Sequence, residues 1–411
     1  MTKKILIKNH IIPKVISQKN KNNYKHKLSK LRNTILDRLD IRKDTFHILS
    51  KNFKLNFLNK DITKFRKFKN ISIVGMGGSI LGSEAIYHFL KEKIKKKIYF
   101  FNDMNSNFIK DLKNTVDFDK TLFIIISKSG STTETLYNFI SLNIIKKNAK
   151  NIIIISEQNN NFLYKLSRKY NLYYIEHKNY IGGRYSVLSE VGLVPAFLMG
   201  LNINSLRKSI QKYLKTSQVN LIMENIVKLT LIIKQKKIKN LVLLNYSPRL
   251  EKFLYWLQQL LAESLGKRGL GLLPVISNAP KDHHSLLQLY LDGPKDLLFY
   301  IFYCEEKKDK KINFKRYLNL NSYLHNKTFS KIKESQKNAL IKVFQKNKIP
   351  FTEFLIKEVN EEIIGEFFSY FILETAMTGK LLGINPFDQP AVEQVKIQTE
   401  KLLSKNSKKN F

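Results

Sequence analysis

The stretch Thr121–Ile140, TLFIIISKSGSTTETLYNFI, contains a whole structural unit. Six residues with one polar member read as a strand, SKSGSTTET as a turn, and TETLYNFI as the start of a helix. The strand carries no polar alternation, so both of its faces expect cover, as in a parallel sheet flanked by helices. The turn between them, Ser127–Thr135, places six hydroxyls in nine residues. An N-cap uses one hydroxyl, or two. Six suit an anion held at a helix N-terminus, where backbone N–H groups and the helix dipole already favour negative charge. The Walker pattern G-x-x-x-x-G-K-[ST] is absent, so a sugar phosphate fits better than a nucleotide.

The same unit recurs on either side. NISIVGMGGSILGSEAIYHFL (70–90) reads as strand, glycine turn and helix. KIYFFND (97–103), NIIIIS (151–156) and NLYYIEH (171–177) read as further strands. A second round follows a mostly helical 190–235, with strands at NLVLLNYS (240–247) and LLFYIFY (297–303) and a long helix at 249–266. A strongly apolar helix over 361–383 is broken by NPFDQP, and a last helix starts at AVEQVK. The pattern predicts two doubly wound α/β domains with mainly parallel sheets and helical N- and C-terminal segments. The expected limits are 1–69 (helical), 70–214, 215–384, and a C-terminal helix in 385–411.

Composition narrows the class. The 411 residues are 43% hydrophobic, enough for packed cores. Cys304 is the only cysteine, which rules out an intrachain disulfide and fits a reducing compartment. No apolar run is long enough to span a bilayer, and the basic N-terminus lacks a signal-peptide core. A cytoplasmic protein is expected. The net charge of +39 raises nucleic-acid binding. Yet only 10 of the 72 basic residues are Arg, and the lysines spread end to end among abundant Asn, Ile, Phe and Tyr. That is the signature of A/T-rich codons, and neither nucleic acid nor membrane is expected as a partner.

Several motifs are ambiguous singly. Gly75–Ser79 (GMGGS) suits a close backbone approach to a ligand or a merely tight strand–helix turn, and its spacing is not the dinucleotide fingerprint. Arg184 in GGRYS reads equally as a site residue or a surface residue. Glu263 in ESLGK shares a helix face with Trp256, Gln259 and Leu260. Burial there would raise its pKa and suit a general base. KDHHSLLQ (281–288) offers histidines for proton transfer without the spacing of a metal site. Lys396 alone is one helix lysine among many.

In this order GMGGSILG, SKSGSTTET, GGRYSVLSEVGL, ESLGK, DHHSLLQLYLDGP and NPFDQPAVEQVK resemble the glucose-6-phosphate isomerase family, over residues 70 to 400. The resemblance implies two sugar-isomerase (SIS) αβα domains, a homodimer with active sites at the subunit interface, a hexose 6-phosphate substrate and no metal or organic cofactor. It implies Glu263 as the base that moves a proton between carbons 1 and 2. His284 and Lys396 would open the ring, the histidine coming from the partner subunit, and Arg184 would steady the enediol intermediate. Ser127, Lys128, Ser129 and Thr132 would cradle the phosphate, with Gly78, Ser79 and Gln389 as further substrate contacts. His283 would be a bystander. The phosphate turn departs from the family in having Ser129 and Gly130 after Lys128 where many members carry Thr and Phe. A non-catalytic SIS-type sugar-phosphate sensor would need the hydroxyl turn but not Glu263, His284 and Lys396 together.

Overall fold

A computed structural model of the chain describes residues 4–11, 18–306, 309–314 and 323–407. The expected starts and ends of the terminal segments (1–3, 12–17, 408–411), and part of the charged loop after Cys304, lie outside the described residues.

Among the described residues, ten strands form two five-stranded sheets. They are β1 (Ile5–Asn9), β2 (Asn70–Val74), β3 (Lys97–Phe101), β4 (Thr121–Ile126), β5 (Ile152–Ser156), β6 (Tyr173–Glu176), β7 (Asn240–Asn245), β8 (Leu273–Asn278), β9 (Leu297–Cys304) and β10 (Phe351–Ile356). The first sheet runs β3-β2-β4-β5-β6, all parallel. The second runs β1-β10-β9-β7-β8, parallel except where β1 meets β10.

The apolar runs are explained by cover on both faces. In β4 every residue is buried. Leu122, Ile124 and Ile126 point into the large inner core, whereas Phe123 and Ile125 point into an outer cluster under the helices. The strand β9 divides the same way, with Leu298, Tyr300 and Phe302 inward and Phe299, Ile301 and Tyr303 outward. This is the two-residue period of a strand with both faces dry. The inner core is continuous between the sheets. Its centre is the helix Glu361–Leu382, capped by Asn360 and ended by Gly383 in the left-handed conformation.

Three strands are absent from the sequence reading. The N-terminal segment, expected as helical, also supplies β1, whose pairing partner β10 lies more than 340 residues away. The edge strand β8 carries Pro274, and β10 carries Thr352 and Glu353. Glu353 is tolerated in a buried strand because Lys337 neutralises it.

In the first sheet the strand order reverses around β2, with β3 on one side and β4 on the other. Crevices for ligands open there, beyond the carboxyl ends of the strands. The glycine turn leaves β2 and the hydroxyl turn leaves β4, so both line that crevice. No helix among the described residues is long and apolar enough to cross a membrane.

One buried acid in the central helix costs stability. Glu374 is fully enclosed and accepts from Tyr370 Oη (2.9 Å) and Tyr300 Oη (3.4 Å). Burial raises its pKa from 4.5 to about 8. Between those two values the unfolded chain releases this proton and the folded chain keeps it, so its contribution to stability falls as pH rises across that window. Glu374→Gln is expected to melt higher than the parent at pH 7.5, by up to about 4 kcal/mol in unfolding free energy, with the advantage vanishing near pH 4.5. Melting curves at the two pH values check this; an advantage that does not change with pH is the contrary result.

Candidate active site

The helix Glu251–Leu265 packs against β8 and runs antiparallel to it. Glu251 Oε1 receives the Asn278 side-chain amide at the end of β8 (3.1 Å), and Gln258 Nε2 donates to Pro274 O near its start (2.8 Å). Glu263, one turn further on, projects beyond the sheet with its side chain 29% exposed. Its carboxylate is held on both oxygens. Gln259 Nε2, one turn earlier on the same face, donates to Oε1 (2.9 Å), and Arg184 Nη1 lies 3.2 Å from Oε2.

Arg184 arrives from the loop after β6 and is almost wholly buried. Its guanidinium has five N–H donors, and all five are used. Nε donates to Ser264 Oγ (2.8 Å). Nη1 serves Glu263 and Gln389 Oε1 (2.9 Å). Nη2 serves the carbonyls of Pro386 (2.6 Å) and Asp388 (2.9 Å). Trp256 Nε1 fixes the Arg184 carbonyl (3.1 Å). The 385–388 turn is gripped a second time by Lys267, whose Nζ reaches Asn385 O, Asp388 O (2.7 Å) and Asp388 Oδ1 (2.7 Å). The Lys267 ammonium holds the Asp388 carboxyl below its usual pKa. A cleft of about 540 Å³ opens here, with Glu263, Lys267, Asp388 and Gln389 among its walls.

The glycine turn touches this cluster from the first sheet. Gly78 lies against the Gly183–Arg184 backbone so closely that a Cβ would stand 2.2 Å from Gly183 C and 2.5 Å from Arg184 N. Gly77 faces Gln259 Nε2 in the same way, and Ser79 closes the turn by donating its N–H to Met76 O (3.1 Å). GMGGS is therefore a tight turn whose glycines let two segments of the protein's own backbone meet.

The hydroxyl turn sits beside it, with the carbonyl of Ile126 packed on Gly75. Ser127 Oγ and Thr132 Oγ1 are 2.9 Å apart. Thr132 occupies the N-cap position of the helix Thr133–Ser141, yet its hydroxyl makes no capping bond. Ser129 Oγ meets the Ser131 hydroxyl (3.2 Å), and Lys128 Nζ lies 3.6 Å from Glu157. Among the described residues the N–H groups of Lys128, Ser129 and Thr132 meet no acceptor. Gly130 turns the chain at φ +63°, with Asn161 packed where a Cβ would be. Unspent donors facing one turn suit an anion better than capping does.

Two expected site residues stand apart. His284 is exposed on a short turn after β8, whereas His283 is half-buried with its ring on Tyr246 Oη (2.7 Å). That turn folds back on the end of β8, where Asp282 accepts from Asn278 N (2.7 Å). Glu251 marks that end and Glu263 lies twelve helical residues away, about 18 Å along the axis. Lys396, on the helix Val392–Ser407, is 60% exposed and, among the described residues, meets only Glu393 (3.5 Å). The sequence reading missed the parts played by Gln259, Ser264, Tyr185 and Lys267. The i, i+4 spacing of Gln259 and Glu263 was the one available signal; the others depend on which loop lands beside the helix.

The model of the family described as phosphoglucose isomerase matches residues 48–271. The chain belongs to the phosphoglucose isomerase family. The matched range includes the hydroxyl turn, Arg184 and Glu263, and His284, Gln389 and Lys396 lie beyond it. A protein of Methanococcus maripaludis named "Probable glucose-6-phosphate isomerase" is 35% identical over 86% of this chain and 81% of its own length. The glucose-6-phosphate isomerase of Methanocaldococcus jannaschii is 32% identical over 80% of this chain and 83% of its own. The crystal structure of a glucose-6-phosphate isomerase from Chlamydia trachomatis shares the fold, with a TM-score of 0.76 at 17% identity, over 99% of this chain and 89% of that one.

The contact at Gly78 predicts an asymmetry between the two glycines that meet there. Gly78→Ala must separate two backbones and is expected to cost about 1–3 kcal/mol and most of the activity. Gly183→Ala, whose nearest neighbour is 3.8 Å away, is expected to leave stability and activity near those of the parent. Melting temperatures and steady-state rates of the pair test the packing; equal effects would contradict it.

Proposed function

We propose that this chain interconverts glucose 6-phosphate and fructose 6-phosphate by ring opening and proton transfer through a cis-enediol, using the cluster around Arg184. The isomerase assignment follows from family membership and from relatives named for that activity over most of the chain. The observation that carries the residue roles is one buried guanidinium joined to a partly exposed carboxylate beside an open cleft.

Aldose–ketose exchange takes a proton from one carbon and returns it to the next. A single carboxylate reaching both carbons does this, and Glu263 is the carboxylate on the cleft. Charge builds on the enediolate oxygens, and Arg184 is the fixed cation beside them. Because the Arg184 donors are already engaged, the Nη1 donors shared with Glu263 and Gln389 are those that turn to substrate oxygens. Ser127, Ser129, Thr132 and the Lys128 N–H hold the phosphate away from the chemistry, so its binding energy fixes position. Gly78 and Ser79 form the floor between the two regions.

His284 and Lys396 complete ring opening in an assembled homodimer in the cytoplasm. Within one chain His284 lies at the opposite end of the helix from Glu263, so it serves the site of a second copy. The two αβα units, 70–214 and 215–384, carry the halves of each site, and the segment 385–411 brings Gln389 and Lys396.

Purified protein given fructose 6-phosphate, with the product coupled to glucose-6-phosphate dehydrogenase, is expected to turn over. Absence of turnover at micromolar enzyme refutes the reading. Glu263→Gln is expected to lower kcat by roughly 10²–10⁴ while sparing phosphate binding, and near-normal turnover would remove Glu263 as the base.

The shared site makes a separate prediction. Glu263→Gln and His284→Ala, each inactive alone, are expected to regain up to about a quarter of parental activity per site when mixed and allowed to exchange subunits, because hybrid dimers hold one intact site. Activity that stays at the level of the separate variants, with hybrid dimers verified by mass, contradicts donation of His284 by the partner.

A further inference from the structure

Three polar groups behind Arg184 form a chain whose direction can be worked out. Tyr185 Oη lies 3.2 Å from Pro386 O and 2.8 Å from Ser264 Oγ. Ser264 Oγ is also 2.8 Å from Arg184 Nε. The Arg184, Tyr185 and Ser264 side chains are buried, so each proton needs an acceptor within the chain. The arginine can only donate, so Ser264 accepts from it. Pro386 O can only accept, and the single phenolic proton of Tyr185 goes there. The Ser264 proton therefore goes to Tyr185 Oη. The run is Arg184 Nε–H to Ser264, Ser264 O–H to Tyr185, and Tyr185 O–H to Pro386 O, with every member satisfied. Burial pushes the Tyr185 phenol up to about 12, so this arrangement persists through the neutral range.

From this we infer that Ser264 is a positioning residue for the proton-transfer step, fixing the guanidinium plane of Arg184 through a one-way relay that Tyr185 closes on the Pro386 carbonyl. The inference rests on the roles given above to Glu263 and Arg184. Pro386 O also accepts from Arg184 Nη2, so the relay and the guanidinium end on one anchor. Two edges of the guanidinium are thereby held, Nε by Ser264 and Nη2 by the carbonyls of Pro386 and Asp388. The third, Nη1, is left facing Glu263 and Gln389. Ser264 follows Glu263 directly, so one helix turn carries both the base and the support of the cation opposite it. The support touches no substrate. Its loss lets the cation tilt, which weakens charge stabilisation in the transition state more than it weakens substrate binding.

The test uses full-length Ser264→Ala and Tyr185→Phe, with Glu263→Gln alongside. The probes are fructose 6-phosphate and a five-carbon aldonate phosphate whose carboxylate mimics the enediolate. For Ser264→Ala, kcat is expected to fall about 10- to 100-fold, with KM within about threefold of the parent. The inhibition constant of the mimic should weaken by the same factor as kcat. Tyr185→Phe should move both quantities the same way by less, because Ser264 still accepts from Arg184. A merely structural role would lower the melting temperature without linking kcat to affinity for the mimic.

A folded Ser264→Ala with kcat within about twofold of the parent, or a loss carried by KM with affinity for the mimic unchanged, overturns the inference. If Ser264→Ala does not fold, Tyr185→Phe decides by the same two readouts. An inactive Glu263→Gln beside a normal Ser264→Ala removes only the positioning role, whereas an active Glu263→Gln removes the reading on which it rests.

Discussion

Much of this structure depends on satisfying one buried cation. A guanidinium removed from water loses several kcal/mol of solvation, recovered only when its donors all find acceptors. Arg184 finds one anionic partner, Glu263, and four neutral ones. Those partners come from the helix before β8 and the turn after the central helix, and Arg184 itself comes from the loop after β6. The charge can be buried only when the three segments meet, so the cluster is both a joint between the sheets and a site for stabilising negative charge. Lys267 and Trp256 reinforce the joint from either side.

The two regions of the crevice do different work by the same means. At the hydroxyl turn, among the described residues, backbone N–H groups remain unspent and the hydroxyls bond one another beside a helix N-terminus, an arrangement open to an anion arriving from solvent. At Arg184 every donor is spent in advance, which fixes the group in orientation and leaves only the shared Nη1 donors to respond. One region favours capture and the other favours preorganisation. The glycine turn at 75–79 lies between them because only a backbone without a Cβ can approach Gly183 so closely.

The strongly periodic parts of the fold were legible in the sequence. Short unbroken apolar runs such as Leu122–Ile126, bounded by turn residues, read as strands covered on both faces, and their alternation into two cores agrees with that. The strands that escaped were β1, β8 and β10. Each is short, lies at or near an edge, or carries a polar residue whose cost is met elsewhere, as Glu353 is by Lys337. Propensity does not identify such strands, since their pairing partners are distant. Motif spacing marked Glu263, Arg184 and the hydroxyl turn as candidates. It could not say that Gln259 and Ser264 hold two of them, because those contacts arise from helix register and from which loop docks on the helix.

The sequence by itself determined the doubly wound class, the family, and the chemical kinds of residue available for the reaction, because these follow from local periodicity and fixed motif order. Only the tertiary structure decided which residues meet. It brought Arg184, Glu263 and Gln389 together across more than 200 residues and placed His284 at the far end of the helix from Glu263. The physical reason is that hydrogen bonds to a buried charge depend on position to within an ångström, and that precision comes from packed helices and sheets rather than from neighbours along the chain.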